Sequence, residues 1–245
     1  MKDNIQDLVK YVTSTGFFDK IRISADDKQV TIEAMEKEKD VVFKGSFLKP
    51  IDGLAGEFGL SNLSLLGHIS SDQEFSAPES TIKVVYEERE GVSNPAELTY
   101  VNKSKSSINY RFMPIKLVPQ QPKFMEPTWD IVVKPSKANV QQFAWAANGL
   151  GAYEQYFIPR VVNGELKFFI GEEDAASQRG SVTFATGLTT KFDNTSKWRI
   201  EHVQPVLKFA DSSDCEMAFS SKGVIQITVS TGVGVYKFIF PAKSR

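Results

Sequence analysis

The sequence has little of the chemistry that builds disulfides, metal sites or membrane spans. It contains one cysteine, Cys215, and two histidines, His68 and His202. A single cysteine cannot form a disulfide within the chain, and these residues are too few for a structural zinc site. No stretch approaches the roughly 20 consecutive apolar residues that cross a bilayer, and the first residues lack the apolar core of a signal peptide. We therefore expect a soluble cytoplasmic protein with no membrane partner and no cofactor.

The chain also lacks an excess of charge of either sign. The net charge is −1, so no overall basic field attracts this chain to nucleic acid. This argues against an ordinary site-specific DNA-binding protein but leaves room for one basic face. The 245 residues, 41% of them apolar, can form one large core or two cores of ~120 residues each.

Catalytic motifs are absent as well. There is no Gly-x-Ser-x-Gly turn for a nucleophile and no phosphate-binding loop that ends in Gly-Lys-Ser. Glu172, Glu173 and Asp174 could supply oxygen ligands to a divalent cation, with His202 nearby in sequence. A divalent-metal hydrolase is therefore one alternative. Consecutive acids after a strand are more often a solvated turn, and we expect the chain not to be an enzyme.

Proline is concentrated near the middle of the chain. Residues 113–128 contain prolines at four positions, Pro114, Pro119, Pro122 and Pro127, which forbid a helix and disfavour a central strand. This pattern predicts an extended connector over 113–128. The connector separates an N-terminal domain, residues 1–112, from a C-terminal domain, residues 129–245.

Each half has the same order of predicted elements. Apolar residues at helical spacing predict helices over 4–13 and 61–70 in the first half, and over 136–148 and about 203–210 in the second. Short runs of β-branched and aromatic residues predict strands around them, with Asn163-Gly164 as the strongest hairpin signal. Each half should be an α+β unit in which two helices cover antiparallel sheets.

Two sequence echoes support an internal duplication. Asn4-Ile5-Gln6-Asp7-Leu8 corresponds to Asn139-Val140-Gln141-Gln142-Phe143, each at the start of a predicted helix. Ser70-Ser71-Asp72-Gln73-Glu74-Phe75 corresponds to Ser212-Ser213-Asp214-Cys215-Glu216-Met217, each after a second helix. Two matches at similar offsets favour a repeat over chance.

Three segments of this chain resemble sliding clamps. They are the run from Gly56 to Ile69, the hairpin Phe157 to Ile170 followed by Ser177 to Phe184, and the ending Val235 to Lys243. Together with the duplication, they resemble the polymerase processivity clamps of large tailed bacteriophages and, more distantly, the trimeric eukaryotic and archaeal clamps. The resemblance implies two tandem clamp-type domains, a viral origin and a homotrimeric closed ring. Helices would line the hole and sheets would form the outside.

This resemblance also implies a function and partners. A sliding clamp encircles double-stranded DNA without reading its sequence and tethers the replicative DNA polymerase, after a clamp loader has placed it. Such a ring needs a few cations near the phosphates and no base-reading groove. The candidate DNA-facing residues on or beside the helices and nearby turns are Lys2, Lys10, Lys137, Lys208, Lys105 and Lys222, with Lys20 and Lys103 also on turns. Asp3, Asp7 and Asp211 lie on the same segments, so ordinary solvated surface is the alternative interpretation.

In clamps, an edge strand of one subunit pairs with an edge strand of the next. The resemblance assigns this role to Ser107–Met113, where Ile108, Tyr110 and Phe112 alternate, and to Ser181–Thr186, where Val182 and Phe184 alternate. Covering an exposed edge also protects it from other partners. The alternative is that both strands pair only within their own domains.

A partner-peptide pocket is implied between the connector and the C-terminal tail. The matching apolar residues are Ile115, Leu117, Val118, Phe124, Met125, Phe240 and Pro241. The alternative is that these residues, Phe124 above all, pack onto the sheets of their own domain.

Two further functions are compatible with the same pattern. One is a polymerase accessory factor of the same double-domain build that is not a ring and holds DNA on one open face. The other is a phage structural or scaffold protein, since repeated sheet-edge contacts also build assemblies.

Overall fold

A computed structural model describes residues 1–89, 91–121, 124–171 and 178–243. It divides into two compact units, one of Met1–Phe124 with Thr231–Tyr236 and one of Met125–Ser230 with Lys237–Arg245. The division between Phe124 and Met125 falls inside the predicted connector. Thr231–Tyr236 joins the first unit, although the sequence placed all of 129–245 in the second domain. No helix among the described residues is long and apolar enough to cross a membrane.

The first unit is an α+β unit with helices and strands in succession. In chain order its elements are α1 (Lys2–Thr13), β1 (Ile21–Ala25), β2 (Val30–Met35), β3 (Val42–Phe47), β4 (Gly56–Leu60), α2 (Leu63–Ser71), α3 (Gln73–Ser76), β5 (Thr81–Arg89), β6 (Val92–Val101), β7 (Ser107–Arg111) and a 3₁₀ turn (Ile115–Leu117).

The second unit begins with a strand and then repeats the alternation. Its elements are β8 (Ile131–Val133), α4 (Lys137–Leu150), β9 (Tyr156–Val162), β10 (Glu165–Ile170), β11 (Gly180–Ala185), β12 (Trp198–Arg199), α5 (Ile200–Leu207), a 3₁₀ turn (Lys208–Asp211), β13 (Asp214–Ser220), β14 (Val224–Ser230) and β15 (Gly234–Pro241), whose first residues belong to the first unit.

Antiparallel pairing organises both sheets of the first unit. One sheet has the order β4-β1-β2-β3, with the start of β15 beside β3, and the other has the order β5-β6-β7. Strands β1 and β2 alternate buried and half-buried residues, because one face covers the core. The Phe58 and Phe112 rings stack 4.1 Å apart between the two sheets.

The strands of the second unit follow two orders of neighbours. One is β15-β14-β13-β8 and the other is β11-β10-β9-β12. The predicted hairpin at Asn163-Gly164 is confirmed, with positive φ of 53° and 78° at its two turn residues, which suits a tight hairpin between twisted strands. Phe143 of α4 packs against the sheet rings of Phe157 and Phe168, each with its centroid 5.2 Å from that of Phe143.

The α+β fold class predicted from the sequence is confirmed, and the four main predicted helices are present. One of the two sequence echoes does not mark a structural repeat. The echo of 70–75 in 212–217 does not join equivalent structures, because Gln73–Ser76 is helical while Asp214–Ser220 is a strand. The reason is local: the Asp72 side chain accepts hydrogen bonds from the backbone N–H groups of Glu74 and Phe75, which caps α3.

Candidate nucleic-acid and partner interfaces

The first unit pairs its two main helices. Helix α1 buries Ile5, Leu8, Val9, Tyr11 and Val12. Its Gln6 amide donates to the Ser70 carbonyl of α2 at 3.3 Å, and the space beside Gly67 is closed by Val9 and Thr13. These contacts leave Asp3 and Lys10 of α1 and Leu65 and His68 of α2 exposed. The exposed face of this pair carries both signs of charge.

The second unit pairs α4 with α5. Ser136 caps α4 by accepting from the Asn139 N–H, and Val140, Phe143, Ala146 and Ala147 form its buried face. Helix α5 buries Ile200, Val203, Val206 and Leu207. The exposed face of α4 is made of Lys137, Ala138, Gln141, Gln142, Trp145, Asn148 and Gly149. It contains no acidic residue.

The predicted DNA-facing lysines fall into different environments. Lys10, Lys137 and Lys208 are exposed on or directly after helices, whereas Lys105 and Lys222 are exposed on turns between strands. Lys2 does not fit the prediction, because its ammonium donates to the Ser80 hydroxyl at 3.1 Å and to the Ala77 carbonyl. The structure therefore leaves three helix-borne candidates.

Asp7 likewise differs from the exposed surface acid that its helix position suggested. Its Oδ2 accepts hydrogen bonds from the hydroxyls of Thr231 and Tyr236, at 2.8 and 2.7 Å. Sequence spacing could not predict these contacts, because both donors lie more than 220 residues along the chain. The acid therefore secures α1 within its own unit.

Both strands assigned to a subunit interface lie at sheet edges. Within the described residues, β7 pairs only with β6 and β11 only with β10. Phe112 donates its N–H to Ala96, and Asn102 donates to Ser106, so the alternation of an antiparallel ladder directs the Asn109 N–H away from β6. The edge of β7 thus presents backbone groups to a further strand.

The side chains named for that interface mostly point inward. Tyr110, Val182 and Phe184 are at most 5% exposed and belong to the cores of their own units, while Ile108 and Phe112 are half-buried. The alternation picked out in the sequence therefore marks the core face. Contacts across such an edge would come from backbone groups and from outward residues such as Asn109, Arg111 and Ser181.

The residues predicted to form the peptide pocket also separate into two groups. Val118 and Phe240 are buried in the cores of their units, which corrects their assignment as pocket surface. Leu117 and Met125 are 59% and 83% exposed, Pro241 is exposed, and Ile115 and Phe124 are half-buried. The Phe124 ring lies under the Lys44 ammonium, 5.9 Å from its centroid.

A groove of about 590 Å³ opens beside the start of the connector in the first unit. Phe58, Phe112 and Pro95 supply apolar lining, Ile115 and Lys116 come from the connector, and Arg111 closes one side. Arg111 is held by Glu87 at 2.6 Å and Glu97 at 3.5 Å. Of the predicted pocket residues, Ile115 is the one that lines this groove.

The proposed metal-binding acids, Glu172, Glu173 and Asp174, lie outside the described residues. His202 is half-buried on α5, with its Nε2 3.9 Å from a carboxylate oxygen of Glu201. In the part of the chain that the structure describes, no three His, Cys, Asp or Glu side chains gather where they could hold a metal ion.

No protein-family model matches this chain, and no curated protein matches it by sequence. Solved structures do match it over its whole length. The Proliferating Cellular Nuclear Antigen (PCNA) of Entamoeba histolytica superimposes with a TM-score of 0.65 at 12% identity, covering 98% of this chain and 94% of that one. PCNA of Thermococcus kodakaraensis gives 0.67 at 12% identity, covering 99% and 97%.

A third match is A. fulgidus PCNA in a complex with the C-terminal region of FEN-1, with a TM-score of 0.68 at 11% identity and coverage of 100% and 96%. Identities this low establish the fold and not the function. Two α+β units with antiparallel sheets, matched over nearly the full length of both chains, give this protein the fold of PCNA-type sliding clamps.

Proposed function

We propose that this chain is a DNA sliding clamp that assembles as a homotrimeric ring around duplex DNA. The observation that carries the proposal is the fold match to PCNA over 98–100% of the chain. A clamp acts through its topology, so it needs no catalytic residues. We accordingly propose a non-enzymatic role.

The edges of β7 and β11 support ring closure. They belong to different units of one chain, so head-to-tail pairing of β7 with β11 of a neighbouring copy would repeat around a ring. Each such contact would satisfy backbone groups that otherwise face solvent.

The partners belong to the same proposal. One solved neighbour is a PCNA bound to a segment of FEN-1, and two exposed apolar residues of our chain, Leu117 and Met125, lie in the connector. We propose that these residues receive a peptide of the replicative polymerase and that a clamp loader places the ring. The resemblance to clamps of tailed phages makes a viral replication complex the proposed setting.

A threading experiment tests encirclement without a loader. A closed ring can slide onto the end of a linear duplex and is trapped when streptavidin then caps biotin at both ends. We expect protein to survive a wash at high salt on capped DNA and to leave once a restriction enzyme cuts the duplex.

The same experiment distinguishes a ring from the main alternative, an accessory factor that is not a ring. A polymerase accessory factor that holds DNA on an open face binds phosphates electrostatically, so a high-salt wash should remove it whether or not the ends are capped. Loss from capped DNA at high salt would contradict the ring. Polymerase extension with and without this protein and its loader then tests tethering, which predicts longer products with both present.

A further inference from the structure

The outer face of α4 presents an indole to solvent. Trp145 is 78% exposed, the largest value for any aromatic side chain in the described ranges. The opposite face of the same helix packs into the core, where Phe143, Ala146 and Ala147 are buried. A large aromatic side chain left in water at the centre of a helix face indicates a contact surface.

Hydrogen-bonding side chains surround this indole. Gln141 and Asn148 lie four residues before and three after Trp145, so helical geometry places them on the same line, and Gln142 adjoins it. Lys137 begins the line one turn earlier. We call this set, Lys137, Gln141, Gln142, Trp145 and Asn148, the α4 stripe. Its amide and indole groups make no hydrogen bond to another described side chain.

The charge carried by α4 itself and by the residues next to it in sequence suits an anionic ligand. From Ile131 to Tyr153 the chain has no aspartate or glutamate, although the whole chain has 30 acidic residues and a net charge of −1. Of the two lysines in this segment, Lys134 is paired with Asp214 at 3.0 Å. Lys137 therefore supplies the charge of the stripe, and the remaining members offer neutral N–H donors.

We propose that the α4 stripe contacts the sugar–phosphate backbone of duplex DNA mainly through uncharged groups. The Trp145 indole would pack on a deoxyribose and donate its Nε1–H to a phosphate oxygen, while the glutamine and asparagine amides donate to neighbouring phosphates. This inference rests on the proposed function and adds its mode of contact. Neutral donors hold DNA with little counterion release, so their contribution does not fade as salt rises.

Two substitutions on the same stripe separate a neutral contact from a charged one. W145A should weaken binding to a linear duplex about fivefold at every salt concentration, leaving the slope of log K against log salt unchanged. K137Q should weaken binding at low salt and reduce that slope. Y153A, which removes another exposed aromatic residue just beyond α4, is the control and should bind as the parent does.

Tryptophan emission gives an independent readout. Trp198 is 2% exposed and Trp129 is half-buried, so in a W129F background the quenchable emission comes from Trp145. Trapping the protein on capped DNA should reduce acrylamide quenching about twofold, because DNA shields the indole.

The outcomes distinguish this inference from the proposed function. The protein could be trapped on capped DNA while its acrylamide quenching stays unchanged and the W145A substitution leaves its affinity unchanged. That result would overturn the inference and leave the proposed clamp function intact. Quenching that falls with protein concentration in the absence of DNA would assign the stripe to self-contact and also overturn it. Failure of trapping would overturn the proposed function and this inference with it.

Discussion

At the scale of single residues, Asp7 shows what sequence spacing misses. The sequence presented it as a surface acid beside helix lysines. In the structure it accepts hydrogen bonds from Thr231 and Tyr236, and the Tyr236 ring lies 5.1 Å from that of Tyr11. Burial and the neighbouring Asp7 carboxylate both raise the pKa of the Tyr236 phenol, which stays protonated as a donor. A contact between residues so far apart in the chain leaves no local signal.

Removing the Asp7 acceptor should destabilise the first unit. Tyr236 is fully buried, so Asp7→Ala leaves its hydroxyl without this partner and should lower the free energy of unfolding by about 1–3 kcal/mol. Urea denaturation measures the change. Asp3→Ala, at an exposed position of the same helix, should change stability by less than about 0.5 kcal/mol. Equal effects of the two substitutions would refute the role given to Asp7.

Cys215 gives a prediction about reactivity. Burial, with a smaller contribution from Asp214, raises the pKa of its thiol to about 12. At pH 8 the thiol is therefore protonated, and the thiolate is the reactive form. We expect the native protein to resist alkylation by iodoacetamide at pH 8 and to take up one label after denaturation, as measured by intact mass. Rapid labelling of the native protein would contradict this environment.

The burial of some single residues could be predicted from the sequence, and the surroundings of others could not. The period of two picked out in the sequence at Tyr110, Val182 and Phe184 did find side chains that are buried. The same alternation misled the assignment of Tyr110, Val182 and Phe184 to an interface, because it identifies a buried face without saying what covers it. Trp145 was missed, although the lack of acids from Ile131 to Tyr153 was visible in the sequence.

At the scale of elements, helices were more predictable than strand partners. Apolar spacing and the Ser136 cap located α4, and Asn163-Gly164 located the β9–β10 hairpin. The residue pattern predicts strands over 81–86 and 97–101, whereas β5 continues to Arg89 and β6 begins at Val92, because charged residues from Glu87 onward hide the strand pattern. The order of strands in a sheet depends on long-range pairing, so local patterns alone could not place β7 and β11. The family resemblance suggested that both are edge strands, and the structure has both at sheet edges.

The β7 edge allows a backbone-specific test of assembly. Asn109→Pro removes an N–H that faces away from β6, so β7 should keep its pairing within the unit while losing a bond to a neighbouring subunit. We expect the trimer to dissociate at protein concentrations where the parent remains assembled. Sedimentation velocity measures this shift.

Asn109→Ala is the matched control, because it shortens the side chain and keeps the N–H. Its assembly should match that of the parent protein. If both variants dissociate equally, the side chain and not the strand edge makes the contact. If neither dissociates, β7 is not the interface.

At the scale of the whole molecule, the resemblance and the fold reach the same architecture by different routes. The sequence yielded two α+β halves and a proline-rich connector, and PCNA structures match the complete chain at only 11–12% identity. A fold can be kept at such low identity because it depends on the pattern of buried and exposed residues more than on particular side chains. Of the lysines predicted to face DNA, Lys10, Lys137 and Lys208 are the ones exposed on or directly after the described helices.

Oligomeric mass in solution tests the central claim most directly. The chain mass is 27.3 kDa, and sedimentation equilibrium at micromolar concentration should give a stable species of three times that mass. A closed ring also predicts that this mass stays constant over a wide range of concentration, because each subunit is held at two edges. A monomer at all concentrations would contradict the account.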